Sequence, residues 1–391
     1  MEFENHTGSD AEHKPSSGLP AAEFMGAAQW ADLCLKNRSL PLAAEHAGTR
    51  WLQVMGKAMN SPLAAGIAPR LDLNDACASL WQAGNLVIAE HLALYDMGAN
   101  RRMSDLAMYK AHKALQMRRW LARQSKSWKP TPENIFAGSS DDEIKTDKKE
   151  QGLSKSYIDD LLDFTDGLKT DDNLDGDYQL LSKILDKKAP KGAVDPASSQ
   201  LLSNFYDSAD IEAARVKALF EMYELVRQVP SVAAAAILGS YGQYINVFAR
   251  QPWAIHSLSA HYIKAGFGLD IMPSIATGFH SLRRDRKKYS ATPAGQALDW
   301  CDAITEGAEQ ALAIWQRLTL ARALNQSRPG TKASKAGPLF DLFLEHPYLS
   351  SEVIMRRLSL TRAGAIGLVK RLPAAPREVT EQGSWRIWAI S

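Results

Sequence analysis

Long apolar stretches, cysteine pairs and enzyme signatures are all missing from this 391-residue sequence. No run of about 18 uncharged apolar residues occurs, the length that a membrane-spanning helix requires, and the polar N-terminus has no apolar signal segment. The three cysteines, Cys34, Cys77 and Cys301, lie far apart and form no C-x-x-C pair. This pattern predicts neither a disulfide framework nor a zinc site. We therefore expect a protein of the reducing cytoplasm that does not contact membranes.

Motifs for bound phosphate, metal or a nucleophile are absent as well. There is no Walker loop, no G-x-S-x-G, no G-x-G-x-x-G and no H-E-x-x-H. Asp171–Asp177 matches the first half of a calcium loop, but Ser182 replaces the glutamate that closes such a loop. His256 and His261 are five positions apart, a poor spacing for shared ligation, so both are predicted to be packed or surface histidines rather than metal ligands. We predict no cofactor, no metal and no catalytic residue.

The 46 basic and 44 acidic side chains nearly balance, but they are unevenly distributed. Residues 136–196 hold 15 acidic side chains against 9 lysines, with few aromatics. Such a composition buries too little apolar surface to fold alone, so a mobile acidic insert is predicted. Residues 1–22 are predicted to be a disordered tail, and the polar residues 326–337, with a Pro-Gly turn, a linker.

Elsewhere the apolar residues recur every three or four positions, as in amphipathic helices. One series is Met103, Ala107, Ala111, Ala114, Met117 and Leu121, and another is Trp300, Ile304, Ala308, Ala311, Trp315 and Leu318. The basic residues between those of the first series are predicted to form its exposed face: Lys110, Lys113, Arg118, Arg119 and Arg123. Residues 74–97 are predicted to form one or two buried helices, with a break at Gly84-Asn85. Residues 23–135 and 197–325 are thus predicted to form one mainly α helical bundle.

Residues 338–391 carry the most specific pattern. An amphipathic helix over 338–345 precedes helices over 351–358 and 362–372, which Ser350 and Thr361 can cap. Residues 377–380 and 384–390 alternate as the strands of a β-hairpin do. Two helices joined by a three-residue turn and followed by a hairpin are typical of a winged helix-turn-helix.

A short helix with a free N-terminus fits the major groove of DNA, and basic side chains beside it can contact phosphates. From residue 332 onward the chain holds nine basic and five acidic side chains, a net charge of +4. We predict a regulator that binds double-stranded DNA and dimerises through its helical region. The residues predicted to approach base edges are Thr361, Arg362, Ala363, Ile366, Gly367 and Lys370. The residues predicted to contact phosphates are Arg371, Arg377 and Arg386.

Several stretches resemble a bacterial family of unknown function that joins a helical region to a C-terminal helix-turn-helix. They are DACASLWQAGNLVIAEHLALYDM (75–97), the helix after Gln251-Pro252-Trp253, and LSSEVIMRRLSLTRAGAIGLVKRL (349–372) with the final hairpin. The resemblance extends from about residue 40 to the end, except for the acidic insert. It implies a helical fold and DNA binding, and it implies no catalytic activity.

The layout also resembles, distantly, that of Fic-domain proteins, which transfer AMP from ATP to hydroxyl side chains. Their motif H-P-F-x-(D/E)-G-N-G-R-x-x-R supplies a general-base histidine and a phosphate-binding loop. The equivalent segment here, 245–256, lacks that histidine, the Gly-Asn-Gly and the paired arginines, and His256 falls near the final arginine. Ala83-Gly84 stands where an inhibitory Glu-Gly would be. The resemblance thus implies a Fic-like scaffold without its chemistry.

Two other functions stay open at this point. A divergent nucleotidyl transferase would bind ATP near residues 245–262. A helical interaction scaffold would use the winged helix to bind another protein rather than DNA.

Overall fold

The computed structural model describes residues 24–99, 106–131, 209–248, 251–285, 290–326, 335–372, 376–380 and 386–390. The predicted tail (1–22) and acidic insert (136–196), with its partial calcium loop, lie outside these ranges, as does most of the predicted linker.

Helices dominate the described residues, and the mainly α prediction is confirmed. The helices are α1 (Ala27–Leu35), α2 (Ser39–Met59), α3 (Ala64–Gln82), α4 (Ala89–Asp96), α5 (Leu106–Arg123), α6 (Ala209–Leu225), α7 (Ser231–Tyr244), α8 (Ala254–Phe267), α9 (Ile275–Asp285), α10 (Pro293–Gln326), α11 (Ala336–Glu345), α12 (Ser351–Leu358) and α13 (Arg362–Lys370). The strands are β1 (Tyr348–Ser350), β2 (Arg377–Glu378) and β3 (Ile387–Ala389), and a 3₁₀ turn spans Val226–Gln228. We refer to α1–α10 as the helical region and to α11–β3 as the C-terminal segment.

The predicted apolar series lie on buried helix faces where the structure describes them, and Met103 of the first series lies outside the described residues. In α10 the side chains of Trp300, Ile304, Ala308, Ala311 and Leu318 are buried, and Trp315 is partly buried. This helix has 34 residues and is therefore about 50 Å long. It packs along α2, α7 and α9, so it forms the spine of the helical region.

The predicted break at Gly84-Asn85 is confirmed. Gly84 ends α3 in the left-handed conformation, with φ at 81°, which only glycine adopts without steric cost. The Asn85 N–H donates to the carbonyl oxygen of Leu80 at 3.0 Å, which closes the helix end. The chain then runs extended to α4.

A buried arginine joins three elements of the helical region. Arg118 of α5 is 1% exposed, and it donates to Asp72 and to Asp75, each at 2.7 Å. Its remaining nitrogen donates to the carbonyl oxygens of Met272 and Pro273 at 3.0 Å. The prediction that Arg118 lies on the exposed face of this helix is therefore wrong, because two carboxylates and two carbonyls replace its hydration. Lys113 of the same helix is buried too.

In the C-terminal segment the helices enclose a small core against a three-stranded antiparallel sheet. The strand order is β1-β3-β2, with Tyr348 and Arg377 both opposite Ala389. The two predicted strands thus pair antiparallel over shorter spans than 377–380 and 384–390, and the turn between them lies outside the described residues. Strand β1 was not indicated by the sequence pattern. Side chains of this core include Leu339, Phe343, Ile354, Ala365, Val369, Leu372 and Trp388.

Candidate nucleic-acid interface

Helices α12 and α13 are set by the two caps that the sequence predicts. The Ser350 hydroxyl accepts a hydrogen bond from the Val353 N–H at 3.3 Å, and the Thr361 hydroxyl accepts one from the Gly364 N–H at 3.2 Å. Each cap satisfies a backbone donor that a helix start leaves unpaired. The structure therefore confirms where both helices begin, although α13 ends at Lys370 rather than at Leu372.

The turn between these helices is held by a side chain from outside them. Ser359 adopts the left-handed conformation, with φ at 48°, which is unusual for a residue with a Cβ. Lys335 Nζ donates to the carbonyl oxygens of Leu358 at 2.6 Å and of Ser359 at 3.3 Å. The Lys335 ammonium thus satisfies carbonyls at the end of α12 and fixes the turn that leads into α13.

One face of α13 is buried and the opposite face is open to solvent. Ala365 and Val369 are 0% and 2% exposed. Among the residues predicted to contact bases, Thr361, Arg362, Ala363 and Lys370 are exposed, and Ile366 and Gly367 are partly exposed. Arg371 follows the helix and is also exposed. All seven residues are thus at least partly open to solvent on or beside α13.

Gly367 has a particular place on this surface. A Cβ built at Gly367 would meet no atom of the described residues within 4 Å. Packing inside the protein therefore does not require glycine here, even though glycine weakens a helix by roughly 1 kcal/mol relative to alanine. The missing side chain opens the middle of the α13 surface to whatever contacts it.

Each of the two hairpin arginines is paired with a carboxylate. Arg386 donates to Glu378 on the neighbouring strand at 3.4 Å. Arg377 reaches the helical region, where its two terminal nitrogens contact the two carboxylate oxygens of Glu90 on α4, one of them at 3.2 Å. Arg377 is therefore tied to α4, and Arg386 is paired within the hairpin.

The C-terminal segment docks on α3 through Arg70. This guanidinium donates to the carbonyl oxygens of Phe343 and Leu344 at 2.9 Å, at the end of α11. Burial lowers the pKa of Arg70 to about 10, so the side chain stays protonated at neutral pH. Because the last carbonyls of a helix carry partial negative charge, the partly buried Arg70 cation caps α11 and joins it to α3.

The segment that corresponds to the Fic motif lines a cleft of about 110 Å³ between α3, α7 and α8. His256 lies at this cleft, is 5% exposed and stacks on Trp300 with ring centroids 5.2 Å apart. His261 is buried near Trp128, and its Nδ1 lies 3.0 Å from the Leu121 carbonyl oxygen. Of the two roles predicted for these histidines, packed or at the surface, both are packed. Within the part of the chain that the structure describes, no group of three or more potential metal ligands occurs, and no helix has the length and apolar character to span a membrane.

Sequence reasoning did not find the residues that join the C-terminal segment to the helical region. Arg70 and Glu90 belong to no motif, and their partners are 273 to 287 positions away in the chain. In the sequence, Lys335 contributes only to the positive charge of the segment, and nothing indicates its contact with the turn. A local pattern contains no signal for such contacts.

Comparison with known proteins agrees with this geometry. Residues 337–391 match the family model of a helix-turn-helix DNA-binding domain, and residues 205–328 match that of a protein of unknown function, DUF1612. Uncharacterized protein y4cF of Sinorhizobium fredii (strain NBRC 101917 / NGR234) is 24% identical over 375 residues, which cover 91% of this chain and 98% of that protein. Neither matched family is a Fic family, so that resemblance stays a prediction. A region similar to a family of unknown function is thus followed by a C-terminal helix-turn-helix DNA-binding domain, the layout that the sequence predicts.

Proposed function

We propose that this protein is a transcriptional regulator that reads double-stranded DNA with α13 and uses the β2–β3 hairpin as a wing. The observation that carries the proposal is that Arg362, Ala363 and Lys370 of α13 are exposed, and Gly367 partly so, in a segment that matches a DNA-binding family.

The chemistry of this face suits a duplex. Thr361 caps only the Gly364 N–H, and the positive end of the helix dipole attracts phosphate. Arg362, in the first turn of α13, has the fork of donors that pairs with a guanine edge in the major groove. Arg371, exposed at the end of α13, and Arg386 of the hairpin would contact phosphates, and Gly367 would allow the backbone to approach the bases closely.

The proposal includes a homodimer formed through the helical region. Helix-turn-helix dimers bind two half-sites about one helical turn apart, which doubles the contacted surface. Large apolar side chains on the surface of the helical region support this, among them Leu42 at 70% and Leu320 at 61% exposure. Light scattering of the purified chain should give twice the mass of 43.0 kDa, and footprinting should reveal paired half-sites.

Selection of bound fragments from genomic DNA, followed by anisotropy titration over a salt series, tests the function. Affinity should fall as salt rises, because phosphate contacts release counterions. Arg362→Ala should lose about 1–3 kcal/mol of preference for the selected site. Arg227→Ala is the matched control, because Arg227 is an exposed arginine of the helical region that pairs with Glu224. Absence of DNA binding at low salt would overturn the proposal.

Two results would point to the alternative functions. A protein that co-purifies stably, without DNA binding, would favour the interaction scaffold. Transfer of label from ATP that disappears in His256→Ala would favour a nucleotidyl transferase.

A further inference from the structure

The ion pair between Glu90 and Arg377 joins the wing to the helical region. Glu90 lies in the first turn of α4, and its side chain is 25% exposed. Arg377 lies on the edge strand β2 and is 59% exposed. The Glu90 side chain is thus mostly shielded, whereas the Arg377 side chain is mostly open to solvent.

This pair has the geometry that a phosphate would use. Both terminal nitrogens of Arg377 contact the two oxygens of Glu90, and arginine binds carboxylate and phosphate through the same two-pronged arrangement. An exposed ion pair contributes little free energy in water, so a polyanion can compete for the guanidinium. Glu90 therefore binds Arg377, the arginine that the sequence predicts to contact a DNA phosphate.

We propose that Glu90 is a built-in competitor of DNA: it holds Arg377 against α4 in the free protein, and a DNA phosphate displaces it when the duplex binds. This inference rests on the proposed function and adds a mode of regulation to it. When the wing binds DNA it loses its ion pair with α4. DNA binding is therefore coupled to the contact between the wing and α4.

The rest of the docking contact does not depend on Glu90. Arg70 holds the end of α11 on α3, and Gly66 packs against the backbone of Leu344. Release of Arg377 therefore frees the hairpin edge while α11 stays docked. The exchange is confined to one side chain and needs no separation of the C-terminal segment from the helical region.

A double-mutant cycle on the full-length chain tests this inference. Glu90→Gln keeps the size of the side chain but removes its charge, and it should tighten DNA binding by about two- to fivefold, the worth of an exposed ion pair. Arg377→Ala should weaken binding, and adding Glu90→Gln to it should have no further effect. Glu352→Gln is the charge-matched control for a general change in field, because Glu352 is an exposed carboxylate of α12. Circular dichroism melts confirm that each variant folds.

The outcomes separate the two proposals. Equal tightening by Glu90→Gln with and without Arg377, or by Glu352→Gln, would show a general charge effect and overturn the competition. Unchanged affinity in Glu90→Gln, with clear binding by the native chain, would overturn the competition alone. Absence of binding in all variants at low salt would overturn the proposed function, and the competition with it.

Discussion

Gly66 of α3 and Leu344 of α11 pack backbone against backbone, so closely that a Cβ on Gly66 would lie 1.9 Å from the Leu344 carbonyl oxygen. Arg70, one turn further along α3, donates to that same oxygen. The close approach and the arginine together hold the DNA-binding domain on the helical region.

Gly66→Ala should therefore weaken this docking. The methyl group must push α11 away from α3, which lengthens the Arg70 hydrogen bonds and opens the apolar contact, so we expect a lower melting temperature. Calorimetry of the full chain measures it. Gly56→Ala in α2 is the control, because its Cβ would meet no described atom within 4 Å and alanine favours a helix by about 1 kcal/mol. Equal stabilisation in both variants would contradict the packing argument.

Gly367→Ala should change stability and DNA binding in opposite directions. The free energy of unfolding should rise by up to about 1 kcal/mol, because alanine is the better helix former and space is open around Gly367. DNA affinity should fall, because the methyl group stands on the proposed contact surface. Gly337→Ala in α11 has the same open surroundings outside that surface, so it should leave affinity unchanged. Native affinity in Gly367→Ala would show that α13 does not approach bases there.

Arg118→Met should be among the most destabilising single substitutions in the helical region. It leaves the buried carboxylates of Asp72 and Asp75 without their cation, and breaking a buried ion pair in this way costs about 3–5 kcal/mol. Urea unfolding followed by circular dichroism measures the loss. Lys110→Met, on a more exposed part of α5, should stay within about 0.5 kcal/mol of the native chain. A loss of unfolding free energy in Arg118→Met as small as that in Lys110→Met would mean that the Arg118 network contributes little.

Stability should also fall as the pH drops from about 6.5 to 4. Burial, with the Lys264 ammonium nearby, lowers the pKa of His261 to about 4, although its bond to the Leu121 carbonyl opposes the shift. The unfolded chain binds this proton near pH 6.5 and the folded chain only near 4, so acid favours unfolding, by up to about 3 kcal/mol at pH 4. Urea titrations across this range should show a shallower decline in His261→Gln. Parallel declines in the two proteins would contradict the assignment.

Local signals in the sequence were sufficient for the elements of the DNA-binding domain. A cap such as Ser350 or Thr361 acts on an N–H three positions away, and the spacing of Ala365 and Val369 defines the buried face of α13. Each of these effects operates within one or two helical turns. The sequence alone therefore predicts the helices of this domain and the residues of α13 that face solvent.

Long-range contacts escaped the sequence for the opposite reason. Arg118 has the spacing of an exposed residue on α5, and only the approach of Asp75, 43 positions earlier, makes its burial favourable. Glu90 and Arg377 are ordinary surface charges until the fold brings α4 and β2 together. Partner choice over such separations depends on tertiary packing, which propensity and periodicity do not encode.

Lys335 stands at the start of the DNA-binding domain, yet its ammonium closes the turn between α12 and α13. Lys335, the first described residue after α10, is therefore linked directly to the turn before α13. A displacement of Lys335 would shift the start of α13 through a single side chain.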